Sequence, residues 1–168
     1  MKISYLTLAL VTMLSFGSQA QEKKAIDTLA IVKPLTGFIE AFNQRKAKLP
    51  EGLFTQDAFI VDLFAPFTWT GKVAMDDWYS ILYGRTPEEQ TRQAASKQHV
   101  EISKLSFLDV KNDVAYFSVP ADLTYTNVKK GTRHVIKGYW TVTVKQVSGN
   151  WLMTSNVWAV VSLGVVKS

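Results

Sequence analysis

From His99 to the C-terminus the apolar residues settle into a spacing of two, and this switch of period limits the folds open to the 168-residue chain more than any other feature. The segments "HVEISKLSFLDV", "DVAYFSVPADLTYTNV", "RHVIKGYWTVTVKQV" and "NWLMTSNVWAVVSL" alternate β-branched or aromatic residues with polar ones, as strands with one buried face do. Between them, "KND", "NVKKGT" and "VSGN" are hairpin-sized and carry the Gly, Asn and Asp that tight turns need. Four long antiparallel strands are predicted, and their apolar face must be covered by other parts of the chain.

The cover lies upstream. Between Ala25 and Lys46, Leu35, Phe38, Ile39 and Phe42 follow the i, i+3, i+4, i+7 spacing of a helix with one buried side. Pro34 falls inside that stretch and predicts a kink or a fresh helix start. "LPEGLFTQD" is a turn-rich connector, and "DAFIVDLFAPFTWTG" reads as a strand closed by "FTWTG". "KVAMDDWYSILYG" is predicted helical, with Val73, Trp78, Ile81 and Leu82 inward and Gly84 as the stop. "RTPEEQTRQAASKQ", the most polar segment, is a short helix or a mobile flap. Helix, strand, helix and meander make an α+β fold: a cone-shaped, curved antiparallel sheet wrapped around the N-terminal helices.

Met1 and Lys2 precede a mostly apolar run, Ile3 to Phe16, and Ser18-Gln19-Ala20 has the small-x-small pattern of a signal-peptidase site. Residues 1–20 are therefore expected to be a cleaved signal peptide and residues 21–168 a single domain, exported to the periplasm in a Gram-negative source. The apolar run is shorter than the roughly 20 residues of a membrane span. Removing 20 of the 168 residues leaves 148, a size that buries roughly two-thirds of its unfolded surface. Cysteine is absent, which excludes disulfides, thiolate nucleophiles and Cys-based metal sites. The formal net charge is +5, and +4 once Lys2 is removed. The basic clusters Arg45-Lys46-Lys48 and Lys129-Lys130-Arg133 adjoin turn residues and lack interleaved aromatics, which argues for solvated loops over a nucleic-acid surface. His99 and His134 have no metal-ligand spacing, no serine sits in a G-x-S-x-G elbow, and no glycine loop could cradle phosphate. No metal or cofactor is expected.

The chemistry concentrates at Asp62. In an extended strand Ala58, Ile60, Asp62 and Phe64 share one face and Phe59, Val61 and Leu63 the other, so an acid stands among apolar neighbours on both sides. Burying a carboxylate costs several kcal/mol unless it is paired, hydrogen-bonded or protonated. Asp62 is thus a candidate general base or polar anchor of a cavity; the alternative is a carboxylate that caps a strand-end amide or faces water at a rim.

These segments resemble the nuclear transport factor 2-like superfamily, which includes SnoaL-like polyketide cyclases, ketosteroid isomerase and scytalone dehydratase. The resemblance rests on "FIEAFNQR", "LFTQDAFIVD", "TGKVAMDDWY" and "YWTVTVKQVSGNWLM" and spans nearly all of the chain after residue 20. It implies the cone-shaped fold and a small-molecule cavity. Ketosteroid isomerase carries its base on the first strand with a glycine nine residues later, the separation of Asp62 and Gly71, followed by an aromatic pair matched by Trp78-Tyr79. The resemblance therefore implies Asp62 as base with Tyr79 beside it. The isomerase's oxyanion donors correspond to Phe38 and, within one residue, Trp140, neither of which supplies an acidic O–H.

Strand parity suggests the cavity wall. Ala115, Phe117, Val119, Leu123 and Tyr125 form one set, His134, Ile136, Trp140, Val142 and Val144 a second, and Leu152, Asn156, Trp158 and Val160 a third. Phe38, Trp78, Tyr125, Trp140, Asn156 and Trp158 are the candidate ligand contacts, each with ordinary core packing as its alternative. The expected function is an exported SnoaL-like protein that binds a hydrophobic small molecule. Its rivals are an isomerase, cyclase or dehydratase using Asp62 as base, with Tyr79 or Asn156 polarising the substrate oxygen, and a homodimeric interaction protein with a filled cavity. Val114, Tyr116 and Tyr139 have the parity of an outer sheet face, where related folds dimerise.

Overall fold

The computed structural model describes residues 26–71 and 73–165; the expected signal sequence, Met1 to Ala20, lies outside the described residues. In chain order the elements are α1 (Thr28–Asn43), β1 (Phe54–Val61), β2 (Thr68–Trp69), α2 (Ala74–Tyr83), α3 (Pro87–Ala95), β3 (His99–Ile102), β4 (Phe107–Lys111), β5 (Val114–Asn127), β6 (Thr132–Val147) and β7 (Asn150–Val165). The fold is α+β, as expected. Seven strands form one curved, unclosed sheet in the order β2-β1-β7-β6-β5-β3, with β4 also on β5.

The Asp27 carboxylate caps α1 by accepting from the Ala30 N–H at 3.0 Å. The helix continues through Pro34 with no fresh start. Proline removes one backbone bond, but burial of Ile31, Leu35, Phe38 and Ile39 outweighs that loss. At the helix end Asn43 copies a strand partner: its Nδ2 donates to Val100 O and its Oδ1 accepts from Val100 N, both at 2.8 Å. This pair ties α1 to β3.

The meander differs from expectation at its start. "HVEISKLSFLDV" is two strands, β3 and β4, both lying along the edge of β5. Pro120 explains the break. In an antiparallel strand N–H and C=O of one residue point to the same side, and Pro120 O accepts from Ser103 N on that edge, so the missing N–H faces the gap between β3 and β4. Elsewhere the turns act as read: Ser148 and Gly149 take φ of 50° and 83°, the doubly positive geometry of a two-residue hairpin.

Two further departures shape the interior. β1 pairs in parallel with β7, through Phe59↔Ser155, Ile60↔Asn156 and Val61↔Val157, so the sheet is not antiparallel throughout. β7 also carries an extra residue at Thr154 and at Val161 relative to β6. Such bulges bend a strand and shift its parity. Met153 therefore faces the core in place of Leu152, and Val160, expected inward, is 47% exposed beside the second bulge. α1 packs on β7 and β3, and α2 packs on β1 and β2. No described helix is long and apolar enough to cross a membrane.

Candidate functional site: an aromatic cavity with one carboxylate

β1 stops one residue short of Asp62. The chain turns through residues 62–67 and returns as β2, with Asp62 N donating to Phe67 O at 3.1 Å and Phe67 N to Phe64 O at 2.8 Å. Asp62 is thus the first residue of a hairpin loop and not a mid-strand residue. Ala58 and Ile60 are buried as expected, whereas Phe59 and Leu63 on the other side are substantially exposed. One carboxylate oxygen accepts from the Leu63 N–H at 2.7 Å and the other from the Trp78 indole N–H at 2.8 Å. These bonds hold the side chain against α2, where a cavity of about 450 Å³ opens.

Phe38, Asp62, Trp78, Tyr125, Trp140 and Trp158 all line this cavity, so six of the eight residues singled out in the sequence converge there. Phe38 sits at the centre of the aromatic group, with ring centroids 4.9 Å from Trp78 and 5.7 Å from Trp140, the latter edge to face. Trp140 and Trp158 are 4.8 Å apart. Trp158 reaches inward because Gly138 leaves room beneath it: a Cβ there would lie 2.9 Å from the indole. Tyr125 is backed by the His134 ring, stacked at 5.2 Å.

Burial pushes the Asp62 carboxyl above the ordinary carboxylate value of 3.8, opposed by the hydrogen bonds from Trp78 and Leu63. A carboxylate has about four lone-pair positions, so two remain for a ligand.

Tyr79 and Asn156 are not in the wall. The Tyr79 hydroxyl donates to Lys46 O at 2.7 Å, anchoring the loop after α1, and its ring borders a separate small crevice with Arg45 and Tyr83. Burial raises its phenol pKa further. Adjacent helical residues point about 100° apart: Trp78 takes the side of α2 toward the cavity, and Tyr79 the side toward Lys46. Asn156 is fully buried between Ile60 and Val142, and neither polar atom of its amide has a hydrogen-bond partner among the described residues; the same holds for the Trp158 Nε1. Val73, expected inward, precedes the first turn of α2 and is exposed. An open cavity also corrects the reading of a filled interior.

Sequence reasoning missed the contribution of α3. Gln93, on that helix, and Gln98, just after it, join side chains in a hydrogen bond and line the cavity, as do Phe64 and Ala65 from the 62–67 loop. α3 is a capped helix and not a flap: the Thr86 hydroxyl accepts from Glu89 N, and the Glu89 carboxylate accepts from Thr86 N. Its capping box, T-P-E-E, was readable in the sequence; its place against the cavity was not.

No protein-family model matches the sequence, and no curated protein matches it. Solved structures do. A hexachlorocyclohexane dehydrochlorinase, LinA type 2, superposes with TM-score 0.62 at 13% identity, over 82% of this chain and 87% of that one. An NTF-2-like protein of unknown function from Shewanella oneidensis superposes with TM-score 0.57 at 17% identity, over 79% and 98%. The chain has the nuclear transport factor 2-like fold. A protein from Kribbella flavida, Kfla4162, is similar to it over 82% and 93% of the two chains, with TM-score 0.65 and 13% identity. This fold hosts both enzymes and proteins without assigned chemistry, so function is argued from the site itself.

Proposed function

We propose that this nuclear transport factor 2-like protein is exported and binds an apolar small molecule in the cavity between α1, α2 and the sheet. The observation that carries the reading is an open space of about 450 Å³ walled by Phe38, Trp78, Tyr125, Trp140 and Trp158 with a single carboxylate at its edge. Ligand sites are concave, mostly apolar and furnished with a few polar groups that set orientation. Asp62 is that orienting group, held by Trp78 and Leu63 N–H. Native mass spectrometry after incubation with an envelope extract tests it: wild type retains a small-molecule adduct, and Leu123→Trp, which fills the cavity from β5, loses it. An adduct of equal intensity on both proteins would place the ligand elsewhere.

One observation favours an enzymatic reading as well. Asp62 has its carboxyl pKa raised by burial, as a general base working near neutral pH requires, and LinA is a dehydrochlorinase by name. On that reading Asp62 takes a proton from carbon, and Asp62→Asn lowers turnover of a retained molecule about 10²- to 10⁴-fold. Unchanged turnover would remove Asp62 from the chemistry. The outer face of the sheet supports self-association: Val114, Tyr116 and Tyr139 are exposed on it, and Phe107 packs edge to face on Tyr116 at 5.8 Å.

A further inference from the structure

The charge inventory of the cavity narrows the ligand class. Among the described lining residues Asp62 is the one carboxylate, and none is Lys, Arg or His. None of the ion pairs among the described residues involves Asp62. Its two hydrogen-bond donors, the Trp78 indole and the Leu63 amide, are both neutral. His134 lies behind Tyr125 and stacks on it. The carboxylate therefore meets an aromatic interior with no protein cation against it.

Seven lining residues are aromatic. The faces of such rings carry negative potential, which attracts a cation and repels an anion, and the attraction grows when the cation is desolvated. A carboxylate with two unused lone-pair positions adds charge-assisted hydrogen bonds to an N–H donor, roughly twice as strong as neutral ones. Both features favour the same charge. Resting on the apolar-ligand reading above, we propose that the cavity selects hydrophobic organic monocations: protonated amines with an aromatic or alicyclic body, the ammonium on Asp62 and the body against Phe38, Trp140 and Trp158.

Three probes of one shape test this: 2-(2-naphthyl)ethylammonium, 2-(2-naphthyl)ethanol and 3-(2-naphthyl)propanoate, titrated by calorimetry at pH 8. Wild type should bind the ammonium about tenfold more tightly than the alcohol, a difference of about 1.4 kcal/mol, and the carboxylate weakest. In Asp62→Asn the ammonium advantage should vanish while alcohol binding persists. Should that variant fail to fold, Asp62→Ser replaces it, and the wild-type order of the three probes is a test by itself. Equal wild-type affinity for ammonium and alcohol, or a preference that survives loss of the carboxylate, would overturn the cation selectivity and leave the apolar pocket standing. Binding of none of the three would defeat the apolar-ligand reading and this inference with it.

Discussion

At the scale of the residue, Asp62 trades stability for position. Its folded-state pKa lies above the unfolded value, so the folded chain holds this proton to a higher pH than the unfolded chain does. The linkage then has one sign: below the unfolded value of 3.8 the protonated carboxyl gives its full contribution, and that contribution is lost as pH rises through the raised folded value. Asp62→Asn stays neutral and gives up one of the two hydrogen bonds at every pH, so its melting temperature relative to wild type should rise from pH 3 to pH 7, as thermal unfolding at the two pH values would show; a difference independent of pH would refute the assignment. Asp62 was legible in the sequence because an acid among Ile60, Val61, Leu63 and Phe64 breaks a pattern. Tyr79 was misread for a reason just as local: on α2 it points about 100° away from Trp78, and its hydroxyl serves the loop at Lys46.

At the scale of the element, the alternation of β5 and β6 was readable residue by residue, and Phe117, Val119, Trp140, Val142 and Val144 are buried as their parity demands. β7 was readable only in part. Its bulges at Thr154 and Val161 leave no mark in composition, yet the one at Thr154 exchanges Leu152 for Met153 on the inner face. The β6–β7 pair also sets how far Trp158 enters the cavity. A Cβ at Gly138 would lie 2.5 Å from Ala159 O as well as against the indole, so both strand and ring must move. Gly138→Ala should cost about 1–3 kcal/mol by denaturant titration and weaken binding of any ligand seated on Trp158; a variant as stable as wild type would show that the strands part freely there. α3 makes a milder case. Thr86→Ala removes the N-cap and should cost about 0.5–2 kcal/mol, read as faster amide exchange across residues 87–95 than in α1.

At the scale of the whole molecule, the proposed self-association rests on the exposed Val114, Tyr116 and Tyr139 of the outer sheet face. If that proposal holds, wild type sediments as a dimer and Tyr116→Glu with Tyr139→Glu as a monomer, with ligand retention in the cavity unchanged; a wild type that sediments as monomer at high concentration would dispose of the dimer. The architecture was legible as helix, strand, helix and meander because period and turn chemistry are local properties. The parallel join of β1 to β7 was not, since nothing in "DAFIVD" names a partner near Ser155. That join also governs the order in which the molecule is completed. Phe54 and its partner Met153 stand about a hundred residues apart, and closing so long a loop is slow compared with hairpin formation. During synthesis the two residues of β2 are the one strand partner β1 has until the final strand emerges, with α2 packed on them. The wall that β7 contributes thus closes last, and a chain released before Asn150 would hold Asp62 against Trp78 with no Trp158 to complete the cavity.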